Sequence, residues 1–119
     1  VVKALDSHLV NILAHPTDRL INGREPIQID LDKVFEAAEA NNVVLEVNSF
    51  PNRLDLNDEN ILKARNYKVK FEIGTDSHRT DHMEFMRYGI GTARRGWLTK
   101  QDVINTYSLA DLLKFFKRR

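Results

Sequence analysis

Short apolar runs alternate with segments of helical periodicity along this chain. Runs rich in apolar and β-branched residues predict three strands, at residues 10–14, 43–47 and 69–73. Helical spacing or capping signals predict further segments as helices, at residues 31–41, 58–66, 81–88, 99–105 and 109–119, with residues 1–9 as the end of another. Asp30 and Asn57 are predicted N-caps, because their side-chain oxygens can accept hydrogen bonds from free amides of the first turn.

The order of these elements predicts the fold class. Strands and helices alternate, with a repeat of about thirty residues that suits βαβ units. Such alternation is typical of an α/β fold with a parallel sheet and crossover helices. The sequence contains no repeat, low-complexity tract or interdomain linker, so the chain is predicted to be one domain or part of one.

All three predicted strands end on polar residues that can carry chemistry. His15 follows the first strand, Asn48 ends the second, and Asp76 and His78 follow the third. Functional groups gather at the carboxyl ends of parallel strands, so these side chains are expected to converge on one pocket. Imidazole nitrogen and carboxylate oxygen suit zinc, manganese or iron. We therefore predict His15, Asp76 and His78 as metal ligands, which do not by themselves complete a closed multinuclear site.

Each of these residues also has an ordinary structural interpretation. Asp76 can cap the helix that follows, and His15 and His78 can be loop or surface histidines. Asn48 can hydrogen-bond a substrate or hold the next loop. His8 lies before the first strand and His82 in the helix after the motif, so both are interpreted as surface or boundary residues.

Three arginines lie in loops at the same predicted edge: Arg19, Arg24 and Arg53. Guanidinium groups bind phosphate oxygens bidentately, whereas the alternative is a salt bridge to a nearby carboxylate such as Glu25 or Asp55. Both interpretations stay open for Arg19, and salt bridging is favoured for the other two. Arg19, Asn48 and Arg53 are carried forward as candidate phosphate-binding residues. Glu46, which alternates with apolar neighbours, is not predicted as a ligand.

Composition narrows the function classes. The chain has 119 residues with a net charge of +1, unlike a strongly basic nucleic-acid binder. Its basic clusters are interpreted as a solvated helix face and terminus, at Arg94, Arg95, Lys114, Lys117, Arg118 and Arg119. The absence of cysteine excludes disulfides and thiolate metal sites and is compatible with a reducing, cytoplasmic location. No apolar run reaches transmembrane length, so no membrane partner is expected.

Several segments resemble a known family. The segments ILAHPTDR (residues 12–19) and GTDSH (residues 74–78) resemble the third and fourth metal motifs of polymerase and histidinol phosphatase (PHP) domains. The segments LEVN (residues 45–48) and NRLDL (residues 52–56) are similar to the stretch between those motifs. RYGIGTARRGWL (residues 87–98) resembles the PHP domain of bacterial and archaeal family X DNA polymerases. The resemblance covers essentially the whole chain.

The resemblance implies a distorted, TIM-like (β/α)7 barrel, of which residues 1–119 form the C-terminal portion of a single PHP domain. His15, Asp76 and His78 are then ligands in a cluster of up to three divalent metal ions, which are manganese, zinc or iron. The family's other ligands are a His-x-His near the domain start and a Glu and a His in its middle, and this sequence lacks them. Asp18 departs from the small residue, often glycine, that the family usually has there.

The activity implied by the resemblance is metal-assisted hydrolysis of phosphate esters in DNA repair, as a 3′-to-5′ exonuclease or 3′-end-processing domain of a DNA polymerase. The isolated chain is expected to be inactive or nearly so, and to self-associate through open barrel edges. Two alternatives stay open. One is a degenerate, non-catalytic PHP scaffold that supports the polymerase. The other is a small-molecule phosphatase like histidinol phosphatase, against which residues 87–98 argue.

Overall fold

A computed structural model describes residues 1–117 of the chain. Arg118 and Arg119, the last members of the predicted basic terminus, lie outside the described residues. The helices are α1 (Val2–Leu5), α2 (Leu31–Asn41), α3 (Asp58–Ala64), α4 (Met86–Arg95) and α5 (Leu109–Phe116). The strands are β1 (Ile12–Leu13), β2 (Val44–Asn48) and β3 (Phe71–Gly74), and two 3-10 helices span Thr80–Phe85 and Ile104–Thr106. In this part of the chain no helix is long and apolar enough to cross a membrane.

The three strands form one parallel sheet in the order β1-β2-β3. Leu13 pairs with Leu45, and Leu45 in turn pairs with Phe71, so the three strands run side by side in one direction. The predicted α/β class with a parallel sheet is therefore confirmed. The complete barrel stays a prediction.

The helices on either side of β2 begin where the sequence predicts. Asp30 accepts a hydrogen bond from the Lys33 amide at 3.3 Å, and Asn57 accepts one from the Asn60 amide at 2.9 Å. Each cap satisfies an amide that has no partner within its helix, which is worth about 1 kcal/mol. Both predicted caps are confirmed, and α2 has the bounds that its hydrophobic periodicity indicates.

The two faces of the sheet differ in character because side chains alternate along a strand. On one face the apolar residues of β2 and β3 join a single hydrophobic cluster with the helices, through Leu45, Val47, Phe71, Ile73, Val34, Phe35, Ile61 and Ala93. The other face carries Glu46, Asn48 and Glu72. Glu46 and Asn48 are only 9% and 1% exposed, so this polar face is itself largely removed from solvent.

Residues 81–88 are helical, as predicted, but the helix type and the C-terminal end differ from the prediction. A 3-10 helix occupies Thr80–Phe85, and the α-helix begins only at Met86 and continues to Arg95. This α-helix includes Gly89, although glycine has a low helix propensity. Gly89 is buried, and a Cβ at this position would overlap the Ser49 Oγ. The missing side chain therefore lets α4 approach the sheet closely, and this packing outweighs the low helix propensity.

The helix predicted at residues 99–105 is wrong. Val103 is extended and forms a parallel bridge with Phe71. Asn105 then uses its side chain as a strand would use its backbone. Its Oδ1 accepts from the Ile73 amide at 2.8 Å, and its Nδ2 donates to the Ile73 carbonyl at 3.0 Å. Tertiary pairing with the outer edge of β3 therefore overrides the local helical pattern.

Candidate functional site

His15 lies at the end of β1 and is attached to the polar face of the sheet. Its backbone has a φ of 28°, and its amide donates to Glu46 Oε2 at 2.6 Å. Its Nδ1 lies 3.3 Å from Asp18 Oδ1. The carboxylate of Glu46 thus fixes the position of the residue predicted as the first metal ligand.

Asp76 follows β3 and is joined to β2 through Asn48. The Asn48 Nδ2 donates to Asp76 Oδ2 at 3.2 Å and also lies 3.3 Å from Glu46 Oε2. The Asn48 Oδ1 accepts from the Phe50 amide at 2.9 Å. Asn48 therefore both holds its own loop and connects the carboxylate beneath His15 to the carboxylate of Asp76. This arrangement supports the structural interpretation of Asn48.

His78 is exposed, and hydrogen bonds to its neighbours restrict its tautomer. Its Nδ1 lies 2.7 Å from the Asp76 carbonyl oxygen. Because a carbonyl can only accept, Nδ1 carries the proton in the neutral ring, and the Nε2 lone pair is left for a ligand. The His78 amide donates to His82 Nδ1 at 3.2 Å. His82, interpreted from sequence as a surface or boundary residue, therefore helps to define the loop that carries Asp76 and His78.

Aromatic rings pack beside this loop. His82 stacks on Phe85 with ring centroids 4.9 Å apart, and Phe50 meets His82 and Phe85 edge-on at 5.2 and 5.1 Å. The Phe50 ring also lies edge-on to His78, with centroids 6.2 Å apart. These contacts tie the loop after β3 to the loop after β2.

The three candidate arginines are all engaged with the protein itself. Arg19 donates from Nε to the Arg53 carbonyl at 2.7 Å and from Nη2 to the Leu54 carbonyl at 2.6 Å, so its guanidinium clamps the loop after β2. Arg53 donates to Asp18 Oδ1 at 3.1 Å, and its Nε lies 3.7 Å from Asp76 Oδ2. Arg24 also pairs with Asp18, at 2.8 Å.

Asp18 is thus the partner that the sequence did not identify. Salt bridging to a nearby carboxylate was favoured for Arg24 and Arg53 and is confirmed, although the partner is Asp18 and not one of the examples, Glu25 and Asp55. Partial desolvation raises the pKa of Asp18, but the hydrogen bond from Arg53 and the positive charges of Arg24 and Arg53 outweigh it, and its pKa lies below the usual value. Asp55 instead accepts from the Thr17 amide at 3.0 Å, and burial raises its pKa.

A pair of carboxyl groups on the polar face was also not identified from sequence. Glu46 and Glu72 are direct partners across β2 and β3. Burial, and then the charge of Glu46, raise the pKa of Glu72 to about 7. Burial also raises the pKa of Glu46, although the hydrogen bonds from His15 and Asn48 oppose that shift. The signal for this pair lies in the strand register, which a single sequence does not give.

The three predicted metal ligands have the right chemistry for a divalent ion, but their side chains do not come together as one group. His78 offers a free Nε2, His15 offers a ring nitrogen, and Asp76 offers a carboxylate. Within residues 1–117, however, no three His, Asp or Glu side chains form a group that can hold a metal ion. The structure brings Asp76 and His15 to one edge of the sheet, linked through Glu46 and Asn48, while His78 projects from the loop beyond them.

Comparison with known proteins supports a relationship to a DNA polymerase. No family model matches the chain. The DNA polymerase/3′-5′ exonuclease PolX of Bacillus subtilis (strain 168) is 42% identical to it over 115 residues, which make up 97% of this chain and 20% of the relative. The chain therefore spans about a fifth of the length of the curated relative that it matches. This similarity agrees with the predicted kinship to bacterial DNA polymerases, and the assignment to a PHP domain stays a prediction.

Proposed function

We propose that this chain is the C-terminal portion of a PHP-type phosphoesterase domain, and that the complete domain removes nucleotides from DNA 3′ ends during repair. The observation that carries the proposal is the chain of contacts from His15 through Glu46 and Asn48 to Asp76. It places two of the three predicted ligands at one edge of a parallel sheet, with His78 two residues further along. Similarity to a 3′-5′ exonuclease along 97% of the chain supports the same conclusion.

Each residue has a distinct task in the proposed site. His78 presents Nε2, because the Asp76 carbonyl occupies its Nδ1. Asn48 orients the Asp76 carboxylate by donating to Oδ2. When bound, divalent ions would lower the pKa of a water and bind phosphoryl oxygens. Ligands from outside this chain would complete the metal cluster, since the described residues do not provide a group of three.

Arg53 is the residue of this chain best placed to meet a substrate phosphate. Its guanidinium lies between Asp18 and Asp76, at 3.1 and 3.7 Å, and its side chain is 18% exposed. A planar guanidinium can exchange a carboxylate partner for a phosphate group with the same two-pronged geometry. Arg19, whose Nε and Nη2 are both used by loop carbonyls, holds the loop that presents Arg53.

A second function is favoured by one specific observation. The described residues hold no three-ligand group, and Asp76 already has Asn48 and Arg53 as partners. These contacts suit a degenerate domain in which Asp76 serves the fold and the module supports a polymerase. The two proposals differ in the expected effect of Asp76→Ala. A phosphoesterase would lose bound metal ions, whereas a scaffold would lose only stability.

The test uses a longer protein that contains this chain together with the rest of the proposed domain. Manganese binding and release of nucleotides from a labelled 3′ end are measured for that protein and for its Asp76→Ala, His78→Ala and His8→Ala variants. His8 is an exposed histidine ahead of β1 and serves as the matched control. The phosphoesterase proposal expects loss of metal and activity in the first two variants alone. A protein that binds no manganese, and whose variants are only less stable, is a scaffold.

A further inference from the structure

A concave surface lies beside the amino end of β3, whereas Asp76 follows the carboxyl end of the same strand. It has a volume of about 440 Å³ and is lined mainly by Lys68, Lys70, Tyr107, Asp111, Lys114 and Phe115. Lys68 and Lys70 directly precede β3, whereas Asp76 follows it. Five residues of largely extended chain lie between Lys70 and Asp76, which corresponds to a span of roughly 20 Å. We refer to this surface as the lysine groove, and it is separate from the site described above.

The lysine groove has an excess of positive charge. Three of its side chains are ammonium groups and one is a carboxylate. Within residues 1–117, the only lysine that forms an ion pair is Lys33, with Asp30. Lys70 donates to the Gln101 carbonyl at 2.8 Å and keeps its charge uncompensated. Asp111 is occupied locally, since it accepts from the Ser108 hydroxyl at 2.7 Å as part of the N-cap of α5.

Two aromatic rings lie beside these ammonium groups. Tyr107 and Phe115 are half-buried and meet edge-on, with their centroids 6.0 Å apart. Tyr107 lies in the segment before α5, and Phe115 lies on α5 itself. The contact between the two rings therefore joins α5 to the segment that precedes it. The groove therefore combines flat apolar surface with unpaired positive charge.

We propose that the lysine groove binds a single-stranded segment of nucleic acid. Lysine ammonium groups attract backbone phosphates, and aromatic side chains provide stacking surfaces that every base can use. An acidic peptide would meet the charge but would not use the rings, and an inorganic anion would fill only a small part of about 440 Å³. The groove would hold a strand at a distance from Asp76, so the proposal does not depend on phosphoesterase activity.

The proposal is tested on this chain with a fluorescent twelve-nucleotide thymidine oligomer, by anisotropy at several salt concentrations. The variant Lys68→Gln/Lys114→Gln removes two charges from the groove. The control Lys3→Gln/Lys63→Gln removes two charges from exposed positions on α1 and α3. The groove variant is expected to weaken binding at least ten-fold and to reduce the salt slope by about 0.7 for each lysine. The control is expected to keep both values, and circular dichroism checks that each variant is folded.

Two further arms identify the ligand and the place of binding. Tyr107→Leu keeps the apolar volume but removes the ring surface, and it is expected to weaken binding of the oligomer about five-fold or more. Poly-glutamate of equal charge is expected to compete poorly. Binding of the oligomer is expected to persist in EDTA, without any divalent ion, which separates this result from the fate of the proposed function. Equal weakening in the groove and control variants, full competition by poly-glutamate, or binding that is lost in EDTA would each overturn the proposal.

Discussion

Glu46 and Glu72 lie opposite each other on β2 and β3, and both carboxylates rest against Gly74. A Cβ at Gly74 would lie 2.8 Å from Glu46 Oε1 and 3.0 Å from Glu72 Oε1. Two carboxyl groups this close, on a face with little solvent, cannot both be ionised without cost. Glu46 has hydrogen-bond donors in His15 and Asn48, whereas Glu72 has its pKa raised to about 7. The proton is therefore held mainly by Glu72.

Replacing Glu72 by Gln is expected to change how stability depends on pH. The folded state holds a proton on Glu72 up to a pKa of about 7, whereas the ordinary pKa of a glutamate side chain is 4.5. Between these pH values the unfolded chain has released that proton, so raising the pH through this window destabilises the wild type. Glu72→Gln removes this penalty. Allowing for solvent screening of a partly exposed group, it should stabilise the protein by roughly 1–2 kcal/mol at pH 8.

Urea denaturation at pH 5 and pH 8 measures this effect as the difference between variant and wild type. The difference is expected to be small at pH 5 and to grow toward pH 8. Glu39→Gln, on the exposed side of α2, removes the same charge away from the pair and serves as the control. The same difference at both pH values for Glu72→Gln would show that the two carboxyl groups do not share a proton.

His82 is expected to act through its Nδ1, which accepts from the His78 amide at 3.2 Å. In His82→Asn the side-chain Oδ1 can occupy the place of Nδ1, whereas in His82→Gln the amide lies one carbon further out. Both variants lose the stacking on Phe85, so they differ mainly in this hydrogen bond. Hydrogen exchange of the His78 amide should be roughly two- to ten-fold faster in His82→Gln and near the wild-type rate in His82→Asn.

The amide of Leu98, bonded to the Ala93 carbonyl at 3.0 Å, is an internal reference for this experiment. Its exchange should not change in either variant. If both variants speed up His78 exchange equally, the ring stacking rather than the hydrogen bond defines the loop.

Local signals predicted the helices that depend on local physics. The periodicity of α2 and its cap at Asp30 are properties of adjacent residues, and the structure reproduces both. The region after β3 depends instead on distant partners. Gly89 is helical because it packs against Ser49. The segment before Ile104 is not helical because Val103 bridges to Phe71, and Asn105, within a short 3-10 helix, satisfies the amide and carbonyl of Ile73. No pattern within either segment shows these partners.

The candidate site also has some features that the sequence predicted and others that depend on distant partners. His15, Asn48 and Asp76 were predicted to lie at one edge because the parallel order of strands follows from their alternation with helices, and they do lie there. The pairing of Glu46 with Glu72 requires the register between β2 and β3. The position of Asp18 between two arginines requires the course of two loops. Sequence therefore indicated the edge of the sheet but not the ionic contacts across it.

Two glycines of α4 are expected to respond in opposite directions to the same substitution. A Cβ on Gly89 would overlap Ser49 and approach Ile73, so Gly89→Ala should destabilise the protein by roughly 1–3 kcal/mol. A Cβ on Gly91 has no atom within 4 Å, so Gly91→Ala should stabilise it by about 0.5–1 kcal/mol through helix propensity. Thermal unfolding of the two variants measures both effects. Destabilisation by Gly91→Ala would show that α4 is packed differently from this description.

Asn105 is expected to protect the outer edge of β3 from pairing with another chain. Its side chain satisfies both backbone groups of Ile73, at 2.8 and 3.0 Å. Asn105→Ala should lose two hydrogen bonds, worth roughly 1–2 kcal/mol, and expose an amide and a carbonyl on a strand edge. Sedimentation velocity over a range of concentrations should show more self-association in this variant than in the wild type.

Asn66→Ala, in the exposed turn after α3, is the control for this last comparison. The wild type is itself predicted to self-associate, because β1 pairs on one side only with β2 in the described sheet. An increase limited to Asn105→Ala would show that the β3 edge is covered in the wild type and becomes a second site of association. Equal association in all three proteins would mean that contact occurs elsewhere, with the edge of β1 as the next surface to block.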